Sequence, residues 1–175
     1  MLDAAPILPT MTAAWRDEVG YGDIVSYRFP LAENGHTGRP KARPCLILET
    51  EVRDGLRYAL LAYGTTSRRK SNVGDEVHVR RRVQYLAAGL DKPTRFVCAR
   101  RLLVPLTNSG FVVSCMTDSA VTGRLEGNPF ERMNAIRGRF HASRDIAEDA
   151  RSSQRRGHGK RSARPTFLGG KAVRA

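Results

Sequence analysis

Within the strand-like segment Asp23–Phe29, the apolar Val25, Tyr27 and Phe29 alternate with the polar Ser26 and Arg28. A two-residue period of this kind predicts a strand with one buried face, and Pro30 ends it. Pro44–Val52 contains a continuous apolar run, Cys45–Leu48, bounded by polar residues, which suits a central strand. Asp54-Gly55 is a tight-hairpin signal, so Leu56–Tyr63 is predicted to return as the partner strand. Glu76–Arg80 alternates again, with Val77 and Val79 on one face. Pro93 precedes a predicted strand at Thr94–Ala99, and Leu102–Leu106 and Phe111–Cys115 predict two more.

The helical period of three and four appears elsewhere. A short turn is expected near Trp15, and residues 82–88 suit a short helix closed by Gly89. The clearest helix opens at Asn128, a good N-cap, with Pro129 at the first helical position and Glu131 in a capping-box-like place. Phe130, Met133, Ile136 and Phe140 then form an apolar stripe, and the pattern runs to about Ala150. Two polar segments, residues 31–43 and 64–75, are predicted as long loops, which are often functional. No internal repeat is present. The sum is six or seven short hairpin-connected strands and one long C-terminal helix. That predicts a mainly β (α+β) fold, a small antiparallel barrel or two packed sheets. Residues 1–20 read as an N-terminal arm, 21–150 as the domain and 151–175 as a basic tail without periodicity, expected to be disordered.

Composition adds partners and compartment. The chain has 175 residues, 41% hydrophobic, enough for one globular core, and a net charge of +13. The excess is uneven: residues 151–175 hold eight basic residues and no acidic one, leaving a net +5 over residues 1–150. A cationic chain points to polyanions, nucleic acid before membrane. No apolar run approaches the ~18 residues of a membrane span. The first Lys or Arg is Arg16, and Pro6 and Pro9 interrupt any signal-like core, so no secretory leader is expected. The three cysteines are far apart with no Cys-x-x-Cys, so buried thiols in a reducing cytoplasm are expected.

The order of motifs resembles the PemK/MazF family of bacterial toxins. The first strand begins Gly22-Asp23-Ile24-Val25. A polar glycine-containing loop follows, closed by Arg43-Pro44 and the apolar Cys45-Leu46-Ile47-Leu48. Thr65-Thr66-Ser67 follows the next strand, and Gly89-Leu90-Asp91-Lys92-Pro93-Thr94-Arg95-Phe96 resembles a segment of a PemK-like subgroup. The resemblance covers about residues 21–150. It implies an SH3-like barrel with a C-terminal helix, usually a homodimer. It also implies metal-independent cleavage of single-stranded RNA with no cofactor, and neutralisation by a cognate antitoxin.

Such cleavage begins with attack of the ribose 2′-hydroxyl on the adjacent phosphate. It needs a base, cations for the phosphorane and an acid for the leaving 5′-oxygen. Arg43 matches the family's Arg-Pro arginine, and a guanidinium fork suits phosphate oxygens; the alternative is a solvated arginine flanking a buried strand. Thr66 and Ser67 are candidate hydroxyl donors to phosphate, or turn caps. His36, in Gly35-His36-Thr37, is a candidate acid or base or an exposed loop histidine. Arg95 matches the arginine of an Arg-x-Asp motif in some relatives, but here the carboxylate position is Val97; Asp75 and Asp91 are near in sequence. Arg39, Lys41, Arg68, Arg69 and Lys70 are candidate contacts to the RNA backbone, as is the Arg80–Arg82 cluster, or they are solvated loop cations. Besides an endoribonuclease toxin, two readings stand: a nucleic-acid-binding protein of the same fold with weak or lost catalysis, and a poison of topoisomerase, as in gyrase inhibitors of related fold.

Overall fold

The computed structural model describes residues 15–30, 40–67 and 73–160. Its elements are α1 (Trp15–Glu18), β1 (Asp23–Tyr27), β2 (Arg43–Arg53), β3 (Leu56–Thr65), β4 (Glu76–Val79), α2 (Arg82–Ala87), β5 (Thr94–Pro105), β6 (Val121–Arg124) and α3 (Gly127–Lys160). The strands form one six-stranded sheet, ordered β4-β5-β3-β2-β1-β6, with every pairing antiparallel. The protein is therefore mainly β with a C-terminal helix. β4 and β6 are the two edges, and the sheet is not closed among the described residues. The β2–β3 hairpin turns at Asp54-Gly55, both with positive φ (50° and 76°), as the two-residue turn requires.

The sheet is buried on both faces. Val25, Tyr27, Cys45, Ile47, Leu61, Tyr63 and Val97 share one core with Trp15, Val19 and Phe111. The intervening residues Ile24, Leu46, Leu48 and Phe96 face the other way and are equally buried. That double burial is why Cys45–Leu48 reads as a continuous apolar run rather than an alternation. α1 covers part of the first core. The Arg57 guanidinium donates to the carbonyls of Arg16 and Val19, and Arg16 Nε donates to Leu106 O at 3.0 Å. Trp15 then meets Phe111 with ring centroids 5.3 Å apart. In α3, Met133 and Ile136 are fully buried, and the Phe130 ring lies against Gly22.

Several elements depart from the sequence pattern. Thr94–Ala99 and Leu102–Leu106 belong to one strand, β5. Its polar interruption at Arg100-Arg101 falls at the edge of a bulge, where pairing jumps from Tyr63–Val97 to Ala62–Arg101 and skips Cys98, Ala99 and Arg100. Phe111–Cys115 forms only isolated bridges, Tyr27–Phe111 and Ser114–Ser119, and Cys115 is exposed rather than buried. The last strand is β6, which alternation misses because Val121-Thr122-Gly123-Arg124 offers a single apolar residue. α3 runs to Lys160, past Ala150. Residues 151–160 contain no proline, and their Arg, Gln and Ser residues are tolerated in a helix. Residues 161–175 and most of the expected arm lie outside the described residues. The chain divides into two compact units, Met1–Arg137 with the sheet and Gly138–Ala175 with the remainder of α3. No described helix is long and apolar enough to cross a membrane.

One close approach fixes the end of the sheet that matters below. A Cβ on Gly64 would lie 2.1 Å from the Pro44 carbonyl oxygen, so β2 and β3 meet there only because residue 64 has no side chain. Gly64→Ala is expected to lower stability by about 1–3 kcal/mol through backbone displacement. Gly138→Ala, on a helix with nothing within 4 Å of the new Cβ, is expected to raise it by about 0.5–1 kcal/mol. Urea unfolding midpoints of the two variants check both signs.

Candidate functional site

The strand register brings distant positions into two transverse rows. The inner row is Val25–Cys45–Tyr63–Val97–Glu76, each residue paired with the next across β1, β2, β3, β5 and β4. Two residues along, Tyr27 pairs with Arg43, and Thr65 pairs with Arg95, which pairs with His78. Continuing the Cys45–Tyr63 register sets Arg43 opposite Thr65. Tyr27, Arg43, Thr65, Arg95 and His78 thus form an outer row on one face, at the end of the sheet where β1 and β3 finish and β2 and β5 begin. Arg43 and Arg95 stand two strands apart, roughly 10 Å between backbones, which two guanidinium side chains can span.

Packing beneath the row sets its electrostatics. The half-buried Arg43 has its guanidinium over the Tyr63 ring, 5.7 Å from the centroid. Burial pushes the Cys45 thiol up to about 12, so it stays a neutral core group beneath Arg43. Burial also raises Tyr27, whose hydroxyl donates to Asn108 Oδ1 at 3.2 Å. Thr65 Oγ1 accepts from the Ser67 backbone N–H at 3.1 Å, a local turn that ends β3.

The densest polar group lies on β4 and β5. Glu76 divides its carboxylate: Oε1 accepts from Arg95 Nη1 at 2.8 Å, and Oε2 lies 3.1 Å from His78 Nε2. The Glu76 and Arg95 side chains are 8% and 9% exposed, whereas His78 is 37% exposed, so the carboxylate is enclosed and the imidazole reaches solvent. Arg132 of α3 donates to the Glu76 carbonyl at 3.4 Å and to the Gly74 carbonyl, tying the start of β4 to the helix. Arg80 Nη2 is 3.4 Å from His78 Nδ1. Burial and the Arg80 charge hold the His78 imidazole below its ordinary value, against the pull of Glu76.

Of the residues that the sequence singles out, Arg43 and Arg95 fall in the outer row. Thr66 and Ser67 follow it directly and are exposed, while Thr65 is the hydroxyl in register. Lys41 is exposed just before β2. His36, Arg39, Arg68, Arg69 and Lys70 lie outside the described residues. The carboxylate beside Arg95 comes from Glu76 on the neighbouring strand, directly across from Val97. Neither Glu76 nor His78 emerges from motif matching. Their signal is the β4 alternation itself: if Val77 and Val79 face one core, Glu76 and His78 face the other.

Removing one member of the Glu76–Arg95 pair strands a buried charge. Glu76→Leu or Arg95→Met alone is expected to cost about 3–5 kcal/mol, and the double variant distinctly less than either. Denaturant titration of the three variants tests that order. His78 makes stability depend on acid. Its folded-state value is lowered, so the unfolded chain takes the proton more readily, and stability falls as pH drops below about 6.5. His78→Gln is expected to flatten part of that decline when melting is followed between pH 5 and 8.

Compared with protein-family models the chain matches none, and a search of curated proteins gives no match.

Proposed function

We propose that this chain is a toxin-like, metal-independent endoribonuclease that cleaves single-stranded RNA, of the PemK/MazF-like kind belonging to type II toxin-antitoxin systems. The observation that carries this reading is the outer row, which brings Arg43, Thr65 and Arg95 to one face at one end of the sheet. The half-buried Arg43 fork and the Thr65 hydroxyl can meet a phosphodiester directly, and Arg95, enclosed with Glu76, completes the cradle through its charge. As negative charge builds on the phosphorane, a fixed guanidinium stabilises it more than the ground state. The described residues 28–30, 40–42, 66–67 and 73–75 adjoin this end of the sheet, and the sequences 28–42 and 66–75 contain Arg39, Lys41, Arg68, Arg69 and Lys70. These contribute salt-sensitive, sequence-independent attraction for the RNA backbone. His36 lies in the first of them.

An SH3-like barrel is part of the same proposal. β2, β3 and β5 have 11, 10 and 12 residues, and their pairings contain register shifts of the kind that turn a strand round a barrel corner. A homodimer, a cognate antitoxin and a cytoplasmic site of action complete the reading.

A second reading, a nucleic-acid-binding protein of this fold without catalysis, is favoured by one observation. Arg95 is committed to a buried pair with Glu76, as a structural arginine would be. It predicts salt-dependent RNA or DNA binding without strand scission, weakened and less salt-sensitive when the eight-cation segment 151–175 is removed.

The purified protein is expected to cut single-stranded RNA in the presence of EDTA. Arg43→Ala is expected to slow cutting about 10²–10³-fold with little change in melting temperature. Undiminished cleavage by that variant would remove Arg43 from the site. RNA binding without any cleavage by the wild type would establish the second reading. Induction in a bacterial host, with growth and total RNA followed together, extends the comparison to the cell.

A further inference from the structure

Attack by a 2′-hydroxyl needs somewhere for its proton to go. The guanidinium groups of the outer row are hydrogen-bond donors with no acceptor site for it. Among the described residues of that row, His78 alone carries an imidazole, the side chain suited to take up and release a proton near neutrality, and the family motifs do not point to it. We infer that His78 is the general base that takes the 2′-hydroxyl proton, with Glu76 as the positioning residue that fixes its ring. This inference rests on the RNA-cleaving reading above.

The geometry assigns each nitrogen a task. Glu76 Oε2, 3.1 Å from Nε2, keeps the proton of the neutral imidazole on Nε2. That leaves the Nδ1 lone pair as the acceptor. The carboxylate cannot swing away, because its other oxygen is held by Arg95 Nη1 at 2.8 Å and its backbone carbonyl by Arg132. The ring itself is the exposed end of this chain of contacts, open to a substrate. His78 pairs directly with Arg95, which pairs with Thr65, so the imidazole lies one strand beyond the phosphate cradle.

The charged groups facing the ring are Glu76 on its own strand, Arg80 just after it and Arg95 from β5; Arg132 of α3 reaches the backbone of the same strand. The two cations nearest the ring favour its neutral form, the form a base requires. The Glu76 carboxylate opposes them and stabilises the imidazolium once it has formed.

The step balances without an outside reagent. His78 Nδ1 takes the 2′-hydroxyl proton as the O2′–P bond forms and the P–O5′ bond breaks. The departing 5′-oxygen takes a proton from water, and the imidazolium returns its proton to solvent. The products are a 2′,3′-cyclic phosphate and a 5′-hydroxyl. In the bound state a substrate hydroxyl occupies the position facing Nδ1 that Arg80 holds at 3.4 Å, and Arg80 turns to the phosphate.

The test is the pH dependence of kcat/KM on a single-stranded oligoribonucleotide in EDTA, for wild type, His78→Gln and His78→Ala. The wild-type rate is expected to rise with pH through one ionisation at or below the ordinary histidine value and then level. His78→Gln retains a donor to Glu76 but cannot titrate. It is expected to lose about 10²–10⁴-fold and to lose that limb, at an unchanged melting temperature above pH 7. His78→Ala is expected to recover partial activity with added imidazole. If His78→Gln cleaves with the wild-type rate and profile, His78 is not the base, although the RNA-cleaving reading stands. A wild type that cleaves no RNA at any pH overturns that reading and the base assignment together.

Discussion

A carboxylate enclosed between two strands must be met on both oxygens, and the arrangement around Glu76 does so. Arg95 holds one oxygen and His78 lies against the other. The pair joins β4 to β5 by side chains as well as by the backbone ladder, and it lets an arginine lie inside the sheet near its end. Everything else in the outer row takes its place relative to that pair. Without a buried counter-charge Arg95 would turn to solvent, and the face it shares with Thr65 and Arg43 would lose its central cation.

The second constraint is register. A sheet buried on both faces cannot slip by one residue, because the slip would exchange two complete cores. The first four members of the inner row, Val25, Cys45, Tyr63 and Val97, are apolar and enclosed. Two residues further along the same strands, where the core ends, the same geometry must present polar groups. The outer row is therefore the rim of the core. Gly64 contributes by omission: the missing side chain lets β3 lie close against Pro44, next to Arg43 on one strand and Thr65 on the other.

Much of this was legible in the linear pattern. The two-residue period locates β1 and β4, Asp54-Gly55 locates the β2–β3 turn, and the helical period locates the start of α3. What alternation cannot reveal is which strands become neighbours. β4 follows β3 in sequence but lies beyond β5 in the sheet, so Glu76 and Val97 are 21 residues apart and directly paired. A motif search along one strand finds valine where an acid is sought, whereas the sheet supplies the acid from the side. β5 illustrates a second limit. Its Arg100-Arg101 interruption has the composition of a loop, yet the strand bulges there and continues. β6 has too few apolar residues to register as a strand and is held by its neighbour. Asp23 joins it there, accepting from Arg124 at 2.6 Å and from the Gly20 N–H at 2.7 Å.

β4 has four residues and lies at an edge, paired along one side only. Detaching such a strand would expose Val77 and Val79 and break the buried Glu76–Arg95 pair, yet an edge strand opens at less than the cost of global unfolding. Glu76 and His78 leave together in that event, and Arg95 is then exposed to water and released from its partner. A molecule opened in this way would be folded but disarmed. Anything that grips the open edge of β4, such as an extended segment of another chain adding itself as a seventh strand, would hold the armed form in place.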